Sequence, residues 1–267
     1  MEELRKKAQE LLSSGAVKVV IGFSEGSGKK ARAAFARKPE QAAKLICDER
    51  CVQNLATYLK KPEVKSLGKA AIVAKVPVLR TILQLAAENQ LKDGEIVALG
   101  ISPDGKLVDL PDFKAIEEFL AKIPYELTPE QKAELEKLEK MSVEERWNYW
   151  QDQFAKCVKC YACRAACPLC YCESCLTQCN QPQWIPVAPH QVGNMQWHIA
   201  RAMHLTGRCI GCGDCERACP VGIPLSLLNQ KLAEEVFKNF KTRAGVAAKE
   251  EYALGTFKPE DKENFIK

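Results

Sequence analysis

The sequence lacks any stretch that could span a membrane or direct export. No apolar run approaches the roughly 20 residues that a membrane helix needs, and none follows the charged N-terminal segment Met1 to Lys7. Neither a secretory h-region nor a twin-arginine signal is therefore present. We expect a soluble, cytoplasmic protein, in a compartment where thiols stay reduced and available for iron.

The chain also has only a small excess of positive over negative charge. A formal net charge of +5 over 267 residues does not favour nucleic acid as a partner. Cysteine is almost missing from the first half: of fourteen cysteines only Cys47 and Cys51 precede residue 157, and twelve lie between Cys157 and Cys219. This asymmetry predicts two domains with different roles.

The cysteine-rich half contains one twelve-residue pattern twice. The pattern C-x2-C-x2-C-x3-C-P begins at Cys157 and again at Cys209. Three thiolates spaced by two residues wrap around one corner of a 4Fe-4S cluster, and the fourth ligates the other cluster in two-cluster ferredoxins. Zinc knuckles more often use pairs of C-x2-C, and a disulfide framework would need a secreted chain. The spacing predicts two 4Fe-4S clusters, the first bound by Cys157, Cys160, Cys163 and Cys219 and the second by Cys209, Cys212, Cys215 and Cys167.

An insertion separates the two patterns by more than a minimal ferredoxin needs. It carries four further cysteines, Cys170, Cys172, Cys175 and Cys179. Four thiolates suit zinc or iron equally well, so a zinc site, a third cluster with outside ligands, and buried thiols all stay open. His190, His198 and His204 are candidate extra ligands, although a lone histidine is more often a packed or surface side chain.

Residues 1–125 alternate strand-type and helical patterns. The β-branched runs are 17–21, 70–74 and 95–101, and the helical patterns are 2–13, 39–46, 51–60, 77–90 and 112–120. This alternation predicts a small, mostly parallel α/β domain.

Two capping boxes, beginning at Thr128 and Ser142, predict a helical linker over residues 126–156. It leads into a bacterial-ferredoxin-like dicluster domain, 157–240, with the cysteine-rich insertion and a last helix from Leu225 to Phe240. The polar segment 241–267 is predicted to be a C-terminal arm that lies on a partner subunit.

A glycine-rich segment, 22–30, follows the first predicted strand. Ligands of α/β sheets bind beyond the carboxyl ends of strands, so Gly26, Gly28 and Lys29 are candidate cofactor-binding residues for a flavin phosphate. The segment does not fit a P-loop, because Lys30 stands where Ser or Thr should bind magnesium. The basic residues around it are typical of a solvated surface, with docking of an acidic partner as the alternative.

Four segments carry a resemblance to a known family: Cys51 to Leu59, Lys69 to Gln84, Lys159 to Cys172, and Arg201 to Cys209. On these residues the chain resembles the coenzyme F-420 hydrogenase/formate dehydrogenase beta-subunit family. The resemblance implies an electron-transfer subunit of anaerobic metabolism, working beside formate dehydrogenase, hydrogenase or heterodisulfide-reductase-like subunits.

Three functions are compatible with these features. The principal hypothesis is a non-catalytic carrier that relays electrons through two 4Fe-4S clusters, since no acid/base pair or nucleophile constellation is recognisable. The second is a subunit that binds FAD near Gly26, Gly28 and Lys29 and itself reduces a small acceptor. The third is an adaptor whose α/β half docks partners.

Overall fold

The first half of the chain is built on one five-stranded sheet. The computed structural model describes residues 1–179 and 181–249. The strands are β1 (Val19–Glu25), β2 (Ala31–Ala36), β3 (Ala70–Ala74), β4 (Ile96–Ile101) and β5 (Leu107–Leu110), in the order β2-β1-β3-β4-β5. Every residue of β3 is buried, because this central strand is covered on both faces.

The predicted α/β class is confirmed, but the sheet is mixed rather than mostly parallel. The pairs β1–β3 and β3–β4 are parallel, whereas the edge strands β2 and β5 pair antiparallel with β1 and β4. Both edge strands return through short turns, at 26–30 and 102–106. They bury few residues, so their sequences lack the apolar runs that identify the inner strands.

The helices of this half are α1 (Glu2–Ser13), α2 (Pro39–Ala42), α3 (Pro62–Lys65), α4 (Val76–Ala87) and α5 (Phe113–Leu120). The helix predicted over 51–60 is wrong, since only a 3-10 turn, Leu55–Tyr58, forms there. Tertiary hydrogen bonds explain the difference: the Asn54 amide N–H donates to Asp214 over 2.7 Å, and its side chain donates to Thr81 over 2.8 Å. These bonds hold Asn54 in an extended conformation before the turn.

The second half is helical and includes the predicted linker. Its helices are α6 (Pro129–Lys140), α7 (Val143–Ala155), α8 (Ala162–Ala166), α9 (Gln191–Leu205), α10 (Asp214–Arg217) and α11 (Leu225–Phe240). Leu135 and Leu138 of α6 pack on Leu227 of α11, and Phe154 of α7 stacks on His198 of α9 with 4.5 Å between ring centroids. Both linker helices thus pack on the cysteine-rich half.

The chain crosses back to the α/β half after α11. The Gly245 amide donates to Gln84 over 2.9 Å, and the Ala248 amide donates to Glu117 over 2.7 Å. This part of the predicted arm therefore lies on the chain's own α4 and α5, while 250–267 fall outside the described residues. No helix within 1–179 or 181–249 has the length and apolarity needed to cross a membrane.

Candidate metal centre

The two cysteine motifs fold into turns of the same conformation. In the first, Lys159 and Tyr161 have φ of 52° and 55°, and in the second the equivalent Gly211 and Gly213 have φ of 72° and 75°. Left-handed backbone at alternate positions turns the chain sharply, which glycine tolerates and other residues adopt only at a cost. Each turn is followed by a short helix, α8 or α10. The repeated sequence therefore produces a repeated geometry.

The first predicted set of thiols is brought together. Cys157 interacts electrostatically with Cys160 and with Cys219. Cys163 interacts with Cys157 and Cys160, and also with Cys215 of the second set. Cys219 belongs to the second motif, so the chain crosses between motifs here. Cys160 is the exposed member of this set, and Cys163 is buried.

The second predicted set surrounds one enclosed cavity. Its lining includes all four thiols of that set, Cys167, Cys209, Cys212 and Cys215. Cys167 comes from the first motif, which makes the crossing reciprocal.

Burial strongly disfavours ionisation of several of these thiols. It raises the pKa of Cys163 to about 11 and the pKa of Cys209 to about 12. The thiolate is the form that binds a metal, so iron would have to displace these protons. The positive charge of the iron would then stabilise thiolates that water cannot solvate. Thiols, most of them at least half-buried, are the donor set that a 4Fe-4S cluster requires, and the residues fit that cofactor.

Nitrogen donors face several of the sulfur atoms. The Lys159 amide donates to Cys157 Sγ over 3.3 Å and the Ile223 amide to Cys219 Sγ over 3.4 Å. The side-chain amide of Asn229 lies 3.9 Å from Cys215 Sγ. Hydrogen bonds to sulfur are one of the means by which a protein adjusts cluster potential.

The insertion contributes thiols to a separate, neighbouring cavity. Cys170, Cys172 and Cys175 line it together with Trp197 and Arg201, while the Cys179 thiol approaches the Cys175 carbonyl at 3.9 Å. Cys170 also forms a thiol–thiol contact with Cys167, which lowers the pKa of Cys170 and raises that of Cys167. Among the described residues, no three His, Cys, Asp or Glu side chains are grouped closely enough to share a single metal ion.

Two of the three histidines have structural partners. His190 caps α9, its Nδ1 accepting from the Gly193 amide over 3.3 Å. His198 is buried against Phe154, and burial lowers its pKa to about 4. His204 is exposed at the end of α9, on the wall of the insertion cavity.

The glycine-rich segment has a different structure from the one predicted. β1 continues to Glu25, and residues 26–30 form the tip of a hairpin that leads into β2. The Arg50 guanidinium braces this tip by donating to the Lys29 carbonyl over 3.1 Å and to Glu25. The strand therefore ends four residues later than the predicted 17–21, and flavin binding by Gly26, Gly28 and Lys29 stays a prediction.

Sequence reasoning missed the polar residues that surround the cysteines. Arg201 and Asp214 are each 4% exposed, and burial raises the pKa of Asp214. The Asp214 carboxylate accepts a hydrogen bond from the Asn54 amide, and this bond ties the second motif to the α/β half. Asp214 also pairs with Arg217 within the motif. No local pattern distinguishes such residues from solvated charges, because their partners are distant in sequence.

A family model described as a 4Fe-4S dicluster domain matches residues 170–224. The match covers the insertion and the second motif. It supports iron–sulfur clusters in this part of the chain, and the first motif, 157–168, lies outside the match.

Curated relatives give the second comparison. The chain is 33% identical over 102 residues to the F420-dependent formate dehydrogenase subunit beta of Methanocaldococcus jannaschii, covering 36% of this chain and 26% of the relative. It is 33% identical over 106 residues to the F420-dependent formate dehydrogenase 1 subunit beta of Methanococcus maripaludis, covering 40% of this chain and 27% of the relative. The predicted resemblance is confirmed, and the chain spans about a quarter of the length of these relatives.

Proposed function

We propose that this chain is a non-catalytic electron-transfer subunit of a multi-subunit redox complex. Two 4Fe-4S clusters would accept and release single electrons. The reciprocal crossing of the cysteines carries the proposal: Cys219 lies with the first set of thiols, and Cys167 lies with the second. This arrangement holds two clusters close together and resembles that of two-cluster ferredoxins.

The ligand sets follow from these groupings. Cys157, Cys160, Cys163 and Cys219 bind the first cluster, and Cys209, Cys212, Cys215 and Cys167 bind the second. The exposed Cys160 makes the first cluster the one nearer to solvent, and electrons would exchange with a partner there. The second set is more deeply buried, which suits storage and relay within the chain.

A third metal site in the insertion is part of the proposal. Three of its four cysteines share a cavity, and the dicluster match begins at the first of them, Cys170. That starting point favours a further iron–sulfur cluster over zinc at Cys170, Cys172, Cys175 and Cys179.

The partners are inferred from the relatives. Because those are beta subunits of formate dehydrogenases, we expect a catalytic dehydrogenase or hydrogenase subunit on one side. A flavin-containing or heterodisulfide-reductase-like subunit would lie on the other. The cytoplasm is the compartment in which the thiols stay reduced.

Metal analysis of anaerobically purified protein tests the proposal. Two clusters give about eight irons and eight sulfides per chain, and a third gives about twelve irons. About eight irons with one zinc would assign zinc to the insertion. Protein without acid-labile sulfide would overturn the proposal.

Ligand variants make the test specific. Cys160→Ser and Cys212→Ser should each lose one cluster, about four irons, and should abolish electron flow from a low-potential dye to an acceptor dye. Cys47→Ser is the matched control, because Cys47 is half-buried and its electrostatic neighbours, Lys75 and Asp48, include no motif cysteine. Unchanged iron in both test variants would contradict the ligand assignment.

A further inference from the structure

Arg201 lies between the two sets of motif cysteines. It extends from α9, is 4% exposed, and donates from Nη2 to the Cys163 carbonyl over 3.1 Å. The same side chain lines both the cavity of the second set and the neighbouring insertion cavity. Its guanidinium therefore stands in the wall that the predicted metal sites share.

The guanidinium has no carboxylate partner. No Asp or Glu in the described part of the chain lies within ion-pair distance of Arg201, and its Nε atom is buried without a hydrogen-bond partner there. Its electrostatic neighbours are thiols: Cys163 of the first set, Cys167 and Cys215 of the second, and Cys170 of the insertion.

An unpaired buried charge is costly. Desolvating an uncompensated ion costs several kcal/mol. Arginine stays protonated in proteins, so it cannot avoid this cost by losing its proton. Neutral thiols do not offset that cost. Thiolates bound to a 4Fe-4S cluster do, because the cluster and its four thiolates together are anionic.

We infer that Arg201 is the fixed counter-charge of the second cluster and raises its reduction potential. The inference rests on the proposed two-cluster function. Reduction adds a negative charge to the cluster, and a nearby cation stabilises the reduced form. Because Arg201 faces two thiols of the second set but only Cys163 of the first, the second cluster should feel the larger effect. Electrons would then settle on the second, more buried cluster.

The experiment is a redox titration of the cluster-loaded protein, followed by electron paramagnetic resonance. Arg201→Gln removes the charge, and Arg201→Lys keeps it without the planar fork. Arg164→Gln is the matched control: it removes the same charge from an arginine of α8 whose hydrogen bond to Gln178 is at the surface. The wild-type protein must first show at least the two motif clusters, so failure of the proposed function is seen before any variant is compared.

Arg201→Gln should shift the reduction equilibrium of the second cluster at least tenfold toward the oxidised form, which is 59 mV for one electron. Arg201→Lys and Arg164→Gln should shift it less than threefold. If Arg201→Gln loses iron while Arg201→Lys keeps both clusters and their potentials, the charge is required and the inference stands. Unchanged potentials in Arg201→Gln, or equal iron loss in the Gln and Lys variants, would overturn it.

Discussion

Glu88 and Arg208 form a bidentate ion pair across the junction of the two halves. Arg208 Nε donates to Glu88 Oε1 over 2.7 Å, and Nη2 donates to Oε2 over 2.5 Å. Glu88 follows α4 in the α/β half, whereas Arg208 immediately precedes Cys209. The Tyr171 hydroxyl of the insertion donates to the same carboxylate over 2.5 Å. One buried acid therefore connects the sheet domain, the insertion and the second motif.

Glu88→Gln should destabilise the protein by about 3–5 kcal/mol, because it removes a buried carboxylate charge from the ion pair at the junction. Anaerobic chemical denaturation measures the free energy of unfolding. The control is Glu118→Gln, which breaks the exposed 3.9 Å pair with Lys114 and should cost about 0.5 kcal/mol or less. Equal effects of the two changes would show that the junction pair contributes no more than a surface pair.

Cys219→Ser should remove the first cluster, although Cys219 lies in the second motif. The reason is its grouping with Cys157. Cys167 lines the cavity of the second set, so Cys167→Ser should remove the second cluster. Iron content and the resonance signal that survives identify which cluster is lost. If Cys219→Ser instead removed the same signal as Cys212→Ser, the motifs would bind their clusters independently.

Gly245→Ala should be more destabilising than Gly94→Ala. Both glycines have positive φ, 69° and 77°, so the conformational cost of about 1–2 kcal/mol is common to both. An added Cβ at Gly245 would overlap the Arg80 carbonyl, whereas at Gly94 it would meet open space. We expect an extra cost of about 1–3 kcal/mol at Gly245.

The free energies of unfolding of the two variants, measured side by side, give the comparison. Equal values would mean that the segment after α11 does not pack firmly on α4.

Stability should fall as the pH drops from about 6.5 to about 4, in part because of His198. Burial lowers the pKa of His198 to about 4, whereas the unfolded chain titrates near about 6.5. Between these values the unfolded state binds more protons, so unfolding becomes easier as the pH falls, by an amount on the order of 3 kcal/mol.

His198→Gln should flatten this part of the pH profile. His204→Gln, at an exposed position of the same helix, is the control for replacing a histidine. Denaturation midpoints across the pH range provide the measurement, and parallel profiles for wild type and His198→Gln would contradict the assignment.

Elements with strong local signals were predicted well. The pattern over residues 70–74 gives β3, and the run from Leu225 to Phe240 gives α11 with the same bounds. The capping boxes at Thr128 and Ser142 both form, with the hydroxyl of each accepting from the third residue of its helix. These signals succeed because the hydrogen bonds and apolar spacing that they encode lie within one element.

Elements that depend on distant partners were not predicted. The edge strands β2 and β5 exist because β1 and β4 offer backbone groups to pair with. The 51–60 segment is held out of a helix by Asp214 and Thr81. The hairpin tip at 26–30 resembled a ligand loop because glycine and lysine suit either structure.

The sequence alone determined the chemistry of the centre: eight cysteines at cluster spacing fix the donor type, and their order predicts the crossing of ligands. Only the tertiary structure decided what surrounds those sulfurs. The burial of Arg201 among thiols and of Glu88 at the junction depends on side chains brought together from distant parts of the chain. Cysteine spacing specifies which atoms can bind a cluster. The electrostatic field at the cluster depends on charged side chains that only tertiary packing brings near it.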